Sequence, residues 1–157
     1  MSNTWIHTAV GAAVAIATVD APPVEKAVVV GALVASHVAF DLIPHGHLVD
    51  FGFMSEGKSY IVEAWSGLLI IPLVTWYLTG CNFFWGFVCC NAPNLLDYFC
   101  FFSHYSEKWQ WAEEFNLKIH PWVGKVSRRA VILCDVFVTG AAFWFLVHEV
   151  ATHLKSW

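Results

Sequence analysis

The sequence predicts an all-α protein: a polytopic membrane helical bundle of about five spans, with one further amphipathic helix at the membrane interface. The first observation is composition, because 58% of the 157 residues are hydrophobic and 13% are charged, whereas a soluble domain usually has about 25% charged residues. The second is pattern, since the apolar residues fall into stretches, most of which suit a crossing helix of about 20 residues. We expect residues 1–157 to form a single integral-membrane domain.

The apolar stretches are separated by turn signals or by polar connections. The first is short for a full crossing, the second begins after Pro22, and Gly80 ends the third. Between the fourth and fifth, charges alternate with Trp residues and predict an interfacial amphipathic helix that ends at Pro121. The stretches run from Trp5 to Val19, Val24 to Ile43, Tyr60 to Thr79, Phe83 to Phe102 and Ala130 to Leu154.

The distribution of basic residues predicts the orientation. Most lie in the second-to-third and fourth-to-fifth connections, whereas Lys26 and Lys155 are on the opposite side. The positive-inside rule therefore places the N-terminus and the two long connections in the cytoplasm, as in a multi-pass protein of the cell membrane. The net charge of -4 argues against a nucleic-acid partner and leaves membrane lipids, and a larger membrane complex, as candidate partners. The basic residues of the two connections are Lys58, Lys108, Lys118, Lys125, Arg128 and Arg129.

This orientation gathers ionisable side chains at one membrane face. Ionisable groups at membrane depth are expensive and usually functional. The opposite face has only His148 and His153 among the histidines. The gathered residues include His7, His37, Asp41, His45, His47, Asp50, Glu63, Asp97, His104 and His120.

The densest motif surrounds His37 and Asp41, which are four residues apart and therefore share one helix face. Pro44 turns the chain, so that His45 and His47 follow in a loop that can fold back over that face. Imidazole and carboxylate ligands of this kind are typical of a Zn²⁺ site, or of a site for another divalent metal. The alternative is a buried hydrogen-bonded pair in which the aspartate orients the imidazole.

A second polar segment interrupts the fourth stretch. Pro93 breaks the helical ladder, and Asn94 and Asp97 then lie at lipid depth. We expect Asp97 to be a catalytic base or a metal ligand and Asn94 to be its catalytic hydrogen-bonding partner, the alternative being polar contacts between helices. At the other end of the chain, Gly11 allows close helix approach, by which His7 can reach a shared centre.

These residues resemble a known family. The run His37-x3-Asp41-x5-His47 is similar to the metal-ligand run of zinc-dependent phospholipase C and the single-strand-specific zinc nucleases. Together with Thr4-x2-His7-x3-Gly11, it resembles the membrane-bound metal-dependent hydrolases over residues 1–50 and, more loosely, 97–120. The resemblance implies that His7, His37, Asp41 and His47 bind metal, with His45 as an alternate and Asp97 and His120 in the second half of the site. A second His-x3-Glu pair is absent, so one or two ions, or none, are expected instead of three.

Several functions follow as hypotheses. The first is a membrane-embedded metal-dependent hydrolase acting on a phosphoester or lipid-like substrate from a Zn²⁺ site at the cytoplasmic rim. The alternative is a non-catalytic integral-membrane subunit or assembly partner of a larger complex. Haem ligation by His7 and His37, and transport through the interrupted span, also stay open.

Overall fold

The computed structural model describes residues 4–44, 65, 69–103, 107–120 and 125–155, and within these ranges every regular element is a helix. The predicted all-α class is therefore confirmed. Short 3₁₀ turns at Ala92–Asn94 and Glu107–Trp109 join consecutive helices. The α-helices are α1 (Thr4–Ala17), α2 (Pro23–Asp41), α3 (Ile71–Thr79), α4 (Phe83–Asn91), α5 (Leu95–Ser103), α6 (Gln110–Ile119) and α7 (Arg128–Lys155).

The short helix α1 lies at the centre of the described helices. It packs against α2, α3, α4 and α7 and against the 3₁₀ turn at Ala92–Asn94. Many of its buried residues are small, which lets neighbouring helix backbones come close. The fully buried residues of α1 include Thr8, Ala9, Ala12, Ala13 and Ala15.

The backbones of α1 and α4 approach each other closely at Gly11. A Cβ atom on Gly11 would overlap the carbonyl oxygen of Cys89 and would lie 2.8 Å from the Cα of Cys90. This carbonyl is the one that a residue at position 93 would normally bond within an α-helix, but Pro93 has no N–H to donate. The proline that breaks the fourth stretch thus releases the carbonyl against which Gly11 packs.

The helix ends follow the turn residues of the sequence. The prolines at 22 and 23 form the N-cap and the first position of α2, where a missing N–H breaks no helical hydrogen bond. Gly80 ends α3 in the left-handed region, with φ of 64°, and its N–H donates to the carbonyl of Trp76 over 2.8 Å. The side chain of Asn82 then caps α4 by accepting from the N–H of Trp85 over 3.1 Å.

Two helices in the described ranges are long and apolar enough to cross a membrane by length and composition, namely Pro23–Asp41 and Arg129–Lys155. Only 11% of the residues in the most apolar window of each are buried. Large apolar side chains therefore cover the outer surface of both helices, with Val28 67% exposed on α2 and Phe137 76% exposed on α7. That these two helices cross a membrane, and that the chain crosses it about five times, stay predictions.

One end of the bundle is held by polar contacts to backbone and side-chain groups. The Nε2 atom of His153 on α7 lies 2.7 Å from the carbonyl oxygen of Thr79 at the end of α3. The Nζ atom of Lys26 donates to the carbonyl of Val19 over 2.7 Å and lies 5.3 Å from the centre of the Trp85 ring. This end is the one at which α1, α3 and α7 finish, so it is opposite to the end that carries His7.

The amphipathic helix expected between the fourth and fifth stretches is α6. It packs on α5, and the rings of Phe99 and Trp111 are 5.9 Å apart. Ala112 and Ile119 are buried, whereas the charged Glu114 and Lys118 on the other side are exposed. The helix thus has two faces, as predicted, and its end brings His120 against the bundle; its location at a membrane interface stays a prediction.

Candidate metal centre

The centre begins with α1 and α2, which bring His7, His37 and Asp41 together. The carboxylate of Asp41 lies between the two imidazoles: its Oδ1 atom is 3.3 Å from Nε2 of His7, and its Oδ2 atom is 2.9 Å from Nε2 of His37. The helical spacing of four residues places His37 and Asp41 on one face, and that face of α2 is the buried one. Ligand atoms of the three residues all lie within 4.8 Å of one another.

Two side chains from the second half of the chain complete the cluster. The Nε2 atom of His120, which follows α6, is 3.5 Å from Oδ2 of Asp41. The Oδ1 atom of Asp97, in the first turn of α5, is 4.0 Å from Nε2 of His37. The structure therefore brings together five of the residues that the sequence placed at one membrane face.

All five side chains of the cluster are removed from solvent. Asp41 is 0% exposed, and the other four range from 1% for His7 to 7% for His120. Taking carboxylates out of water costs several kcal/mol unless charges or strong donors compensate them. Three imidazoles around one carboxylate supply that compensation when they are protonated, and a bound cation supplies it when they are neutral.

The distances suit a small divalent cation with nitrogen and oxygen ligands. Ligands that bind Zn²⁺ at about 2.0–2.1 Å in a tetrahedron lie about 3.3 Å from one another. The Nε2 atoms of His7 and His120 are 3.3 Å and 3.5 Å from the Asp41 carboxylate, which matches this spacing. The ligand atoms of His7, His37 and Asp41 converge most closely, and His120 lies beside Asp41 as a further candidate ligand.

The hydrogen bonding of His37 also fits a ligand. Its Nε2 atom lies 2.9 Å from Oδ2 of Asp41, a distance at which the imidazole and the carboxylate pair directly. The same two atoms are close enough to serve as two ligands of one ion. A histidine ligand needs a neutral nitrogen with its lone pair directed at the metal.

The two rings of His7 and His37 hold each other in place. They stack with centroids 4.9 Å apart and planes inclined by 29°, and the ring of Phe40 meets His7 edge-on at 5.4 Å. This arrangement leaves no space for a porphyrin between the two imidazoles. Joint ligation of haem by His7 and His37 therefore does not fit the structure.

Asn94 lies in the 3₁₀ turn between α4 and α5 and is 0% exposed. Its Nδ2 atom donates to the carbonyl of Cys90 over 3.0 Å and to the hydroxyl of Thr8 over 3.2 Å. Both N–H groups are thus used within the protein, and the catalytic role expected for Asn94 stays a prediction.

The structure leaves part of the predicted site undecided. His45 and His47, predicted as metal ligands from the loop after α2, lie outside the described residues, as do Asp50, Glu63 and His104. The link between Thr8 and Asn94 was not foreseen, although a Thr beside a candidate ligand and an Asn beside a helix-breaking Pro were visible signals.

Comparison of the chain with protein-family models, with curated proteins and with solved structures finds no match.

Proposed function

We propose that this chain is an integral-membrane, metal-dependent hydrolase that acts on a phosphoester or lipid-like substrate. The observation that carries the proposal is the buried Asp41 carboxylate, which meets the Nε2 atoms of three imidazoles within 3.5 Å. The apolar outer surfaces of α2 and α7 support a membrane location, since their exposed side chains suit lipid. We include in this proposal the five crossings, the cytoplasmic position of the centre and the kinship with membrane-bound metal-dependent hydrolases.

The residues divide into ligands and groups that handle protons. His7, His37 and Asp41 would hold the ion, with His120 beside Asp41 as a further candidate ligand, and Zn²⁺ suits such a donor set. When bound, Zn²⁺ polarises a phosphoryl or carbonyl oxygen and makes water a stronger acid. Asp97, 4.0 Å from His37, is the carboxylate beside the ligands that can accept a proton at Oδ1 during the attack of water on the substrate.

A test of metal binding uses protein purified in detergent without chelators. We expect stoichiometric zinc in the wild type and its loss in Asp41→Asn and His37→Ala, because each substitution removes a ligand at the centre of the cluster. Asp135→Asn is the matched control, since Asp135 is a buried aspartate of α7 outside the cluster. Elemental analysis of the three variants and the wild type decides the outcome. Wild-type protein that takes up no metal even after incubation with Zn²⁺ would contradict the proposal.

A test of hydrolysis uses a chromogenic phosphodiester and a short-chain phospholipid in mixed micelles. We expect zinc-dependent turnover that is abolished in His37→Ala, strongly reduced in Asp97→Asn and retained in Asp135→Asn. Turnover that is equal in the wild type and in His37→Ala would assign the activity to a contaminant.

All the described candidate ligands are buried, and this burial favours a second candidate function, in which the metal has a structural role. Structural zinc sites are closed, whereas catalytic sites keep one position open to substrate. A closed centre that only stabilises the bundle would fit a non-catalytic subunit of a larger membrane complex. In that case Zn²⁺ would bind stoichiometrically, no substrate would turn over, and the protein would co-purify with a fixed partner whose binding is lost in Asp41→Asn.

A further inference from the structure

The 3₁₀ turn at Ala92–Asn94 touches both helices that carry the first ligands. It packs against α1, which carries His7, and against α2, which carries His37 and Asp41. All three residues of the turn are buried. A three-residue element in this position can set the location of both helices relative to each other.

The orientation of the Asn94 amide follows from its neighbours. The carbonyl oxygen of Cys90 can only accept, so the amide atom 3.0 Å from it must be the nitrogen. The same nitrogen then donates its second N–H to Oγ1 of Thr8 over 3.2 Å. The amide thereby joins the last turn of α4 to the residue that follows His7 in α1.

Two further contacts lie along the same seam. Gly11, one turn after His7, packs directly on the released carbonyl of Cys89. On the α2 side, the carbonyl of Pro93 lies beside the His37 ring, although its geometry falls short of a strict hydrogen bond. A backbone carbonyl in that place is the usual outer partner of a histidine that binds metal through its other nitrogen.

We propose that Asn94 is a positioning residue of the metal centre, which acts through Thr8 to hold α1 where the His7 imidazole meets the Asp41 carboxylate. The inference rests on the proposed metal site. It adds a residue that is not itself a ligand but that determines the geometry of the ligands. His7 and Thr8 are consecutive in one helix, so a rotation or shift of α1 that lengthens the Thr8–Asn94 bond also moves the His7 ring. Ligand geometry must be held within about 0.5 Å for a site to work.

The experiment titrates Co²⁺ into detergent-purified protein and records the visible absorption of the bound ion, which reports the coordination geometry directly. Thr8→Val removes the accepting oxygen with almost no change of shape, and Thr8→Ser keeps that oxygen. Asn94→Ala removes the donor. Thr139→Val is the matched control, because the Thr139 hydroxyl is buried and, within the described residues, makes no hydrogen bond.

We expect Thr8→Val and Asn94→Ala to lower Co²⁺ affinity about tenfold or more and to change the absorption spectrum, since outer partners of metal ligands typically contribute that much. Thr8→Ser and Thr139→Val should match the wild type in both measurements. Circular dichroism confirms that each variant is folded, and Thr8→Val alone suffices if Asn94→Ala does not fold.

Two results would overturn the inference. If Thr8→Val binds Co²⁺ with wild-type affinity and spectrum, even at a lower melting temperature, the bond only stabilises the fold and the proposed function is unaffected. If the wild type itself binds no Co²⁺, the proposed metal site fails and the positioning role falls with it.

Discussion

The helices α1 and α7 pack against each other, yet they meet very different surroundings. α1 has 14 residues, and from Ile6 to Ile16 it is almost wholly buried, with alanines and one glycine at its contacts. α7 has 28 residues, and large side chains such as Phe137 and Trp144 are 76% and 69% exposed. Length and hydropathy thus identify the helix that faces outward, whereas small residues identify the one at the centre.

This difference between the two helices bears on where the buried polar cluster lies. In the proposed membrane location, polar side chains on the outer surface of a helix would face lipid, where an ionised group is costly. On α1, His7 and Thr8 face other helices, and each finds a polar neighbour in Asp41 and Asn94. The central helix thus encloses its polar side chains among its neighbours, whereas the outward helix α2 carries His37 and Asp41 on its one buried face.

The largest expected difference between α1 and α7 is the effect on stability of replacing a glycine in each helix. Gly11→Ala on α1 should destabilise the protein by more than about 3 kcal/mol, because the new methyl group meets the backbone of α4 and neither helix can yield locally. Gly140→Ala on α7 is the matched control, since a Cβ there meets nothing within 4 Å, and it should stabilise by about 0.5–1 kcal/mol. Thermal unfolding in detergent measures both. Equal melting temperatures for the two variants would disprove the central position of α1.

A charge on the outer face of α7 tests its surroundings. Phe137→Lys should oppose membrane insertion by about 3 kcal/mol, because a lysine near the middle of a crossing helix loses its hydration. Phe137→Leu keeps the apolar character and should insert normally. The inserted fraction, measured with a glycosylation reporter or by carbonate extraction, separates the two. Phe137→Lys protein that accumulates in a water-soluble, folded form would instead place α7 in water.

The smallest effect concerns the opposite end of the bundle. Lys26→Met keeps the alkyl chain but removes the ammonium group that bonds the Val19 carbonyl and lies over the Trp85 ring. The loss should be about 1 kcal/mol, the usual contribution of such a contact. Lys155→Met, at an exposed lysine, should stay within about 0.5 kcal/mol of the wild type. Zinc binding should be unchanged in both, because Lys26 is at the end remote from His7.

The sequence predicted the helices closely because apolar stretches and helix-ending residues are local signals. The first stretch, Trp5 to Val19, matches α1 at Thr4–Ala17, and the fifth, Ala130 to Leu154, matches α7 at Arg128–Lys155. Pro93 correctly marked the interruption of the fourth. Which helix is central was not predicted, since it depends on contacts between helices that hydropathy does not encode.

The candidate site was predicted in part for the same reason. His37 and Asp41 could be paired from their spacing within one helix. The alternating direction of successive predicted crossings placed His7, Asp97 and His120 at the same end. The bond from Asn94 to Thr8 joins residues far apart in the chain and depends on how α4 and α1 fit together around Gly11 and Cys89. No local pattern contains that information.

The central position of α1 has a consequence for biogenesis. Ribosomes synthesise α1 before the other described helices that enclose it, so in the proposed membrane protein its imidazole and hydroxyl reach the bilayer without their neighbours. His120, which meets the same carboxylate, emerges only after α6. In the proposed metal-binding protein, the candidate ligands therefore come together only after α6 has been synthesised, and metal loading belongs to the final stage of assembly.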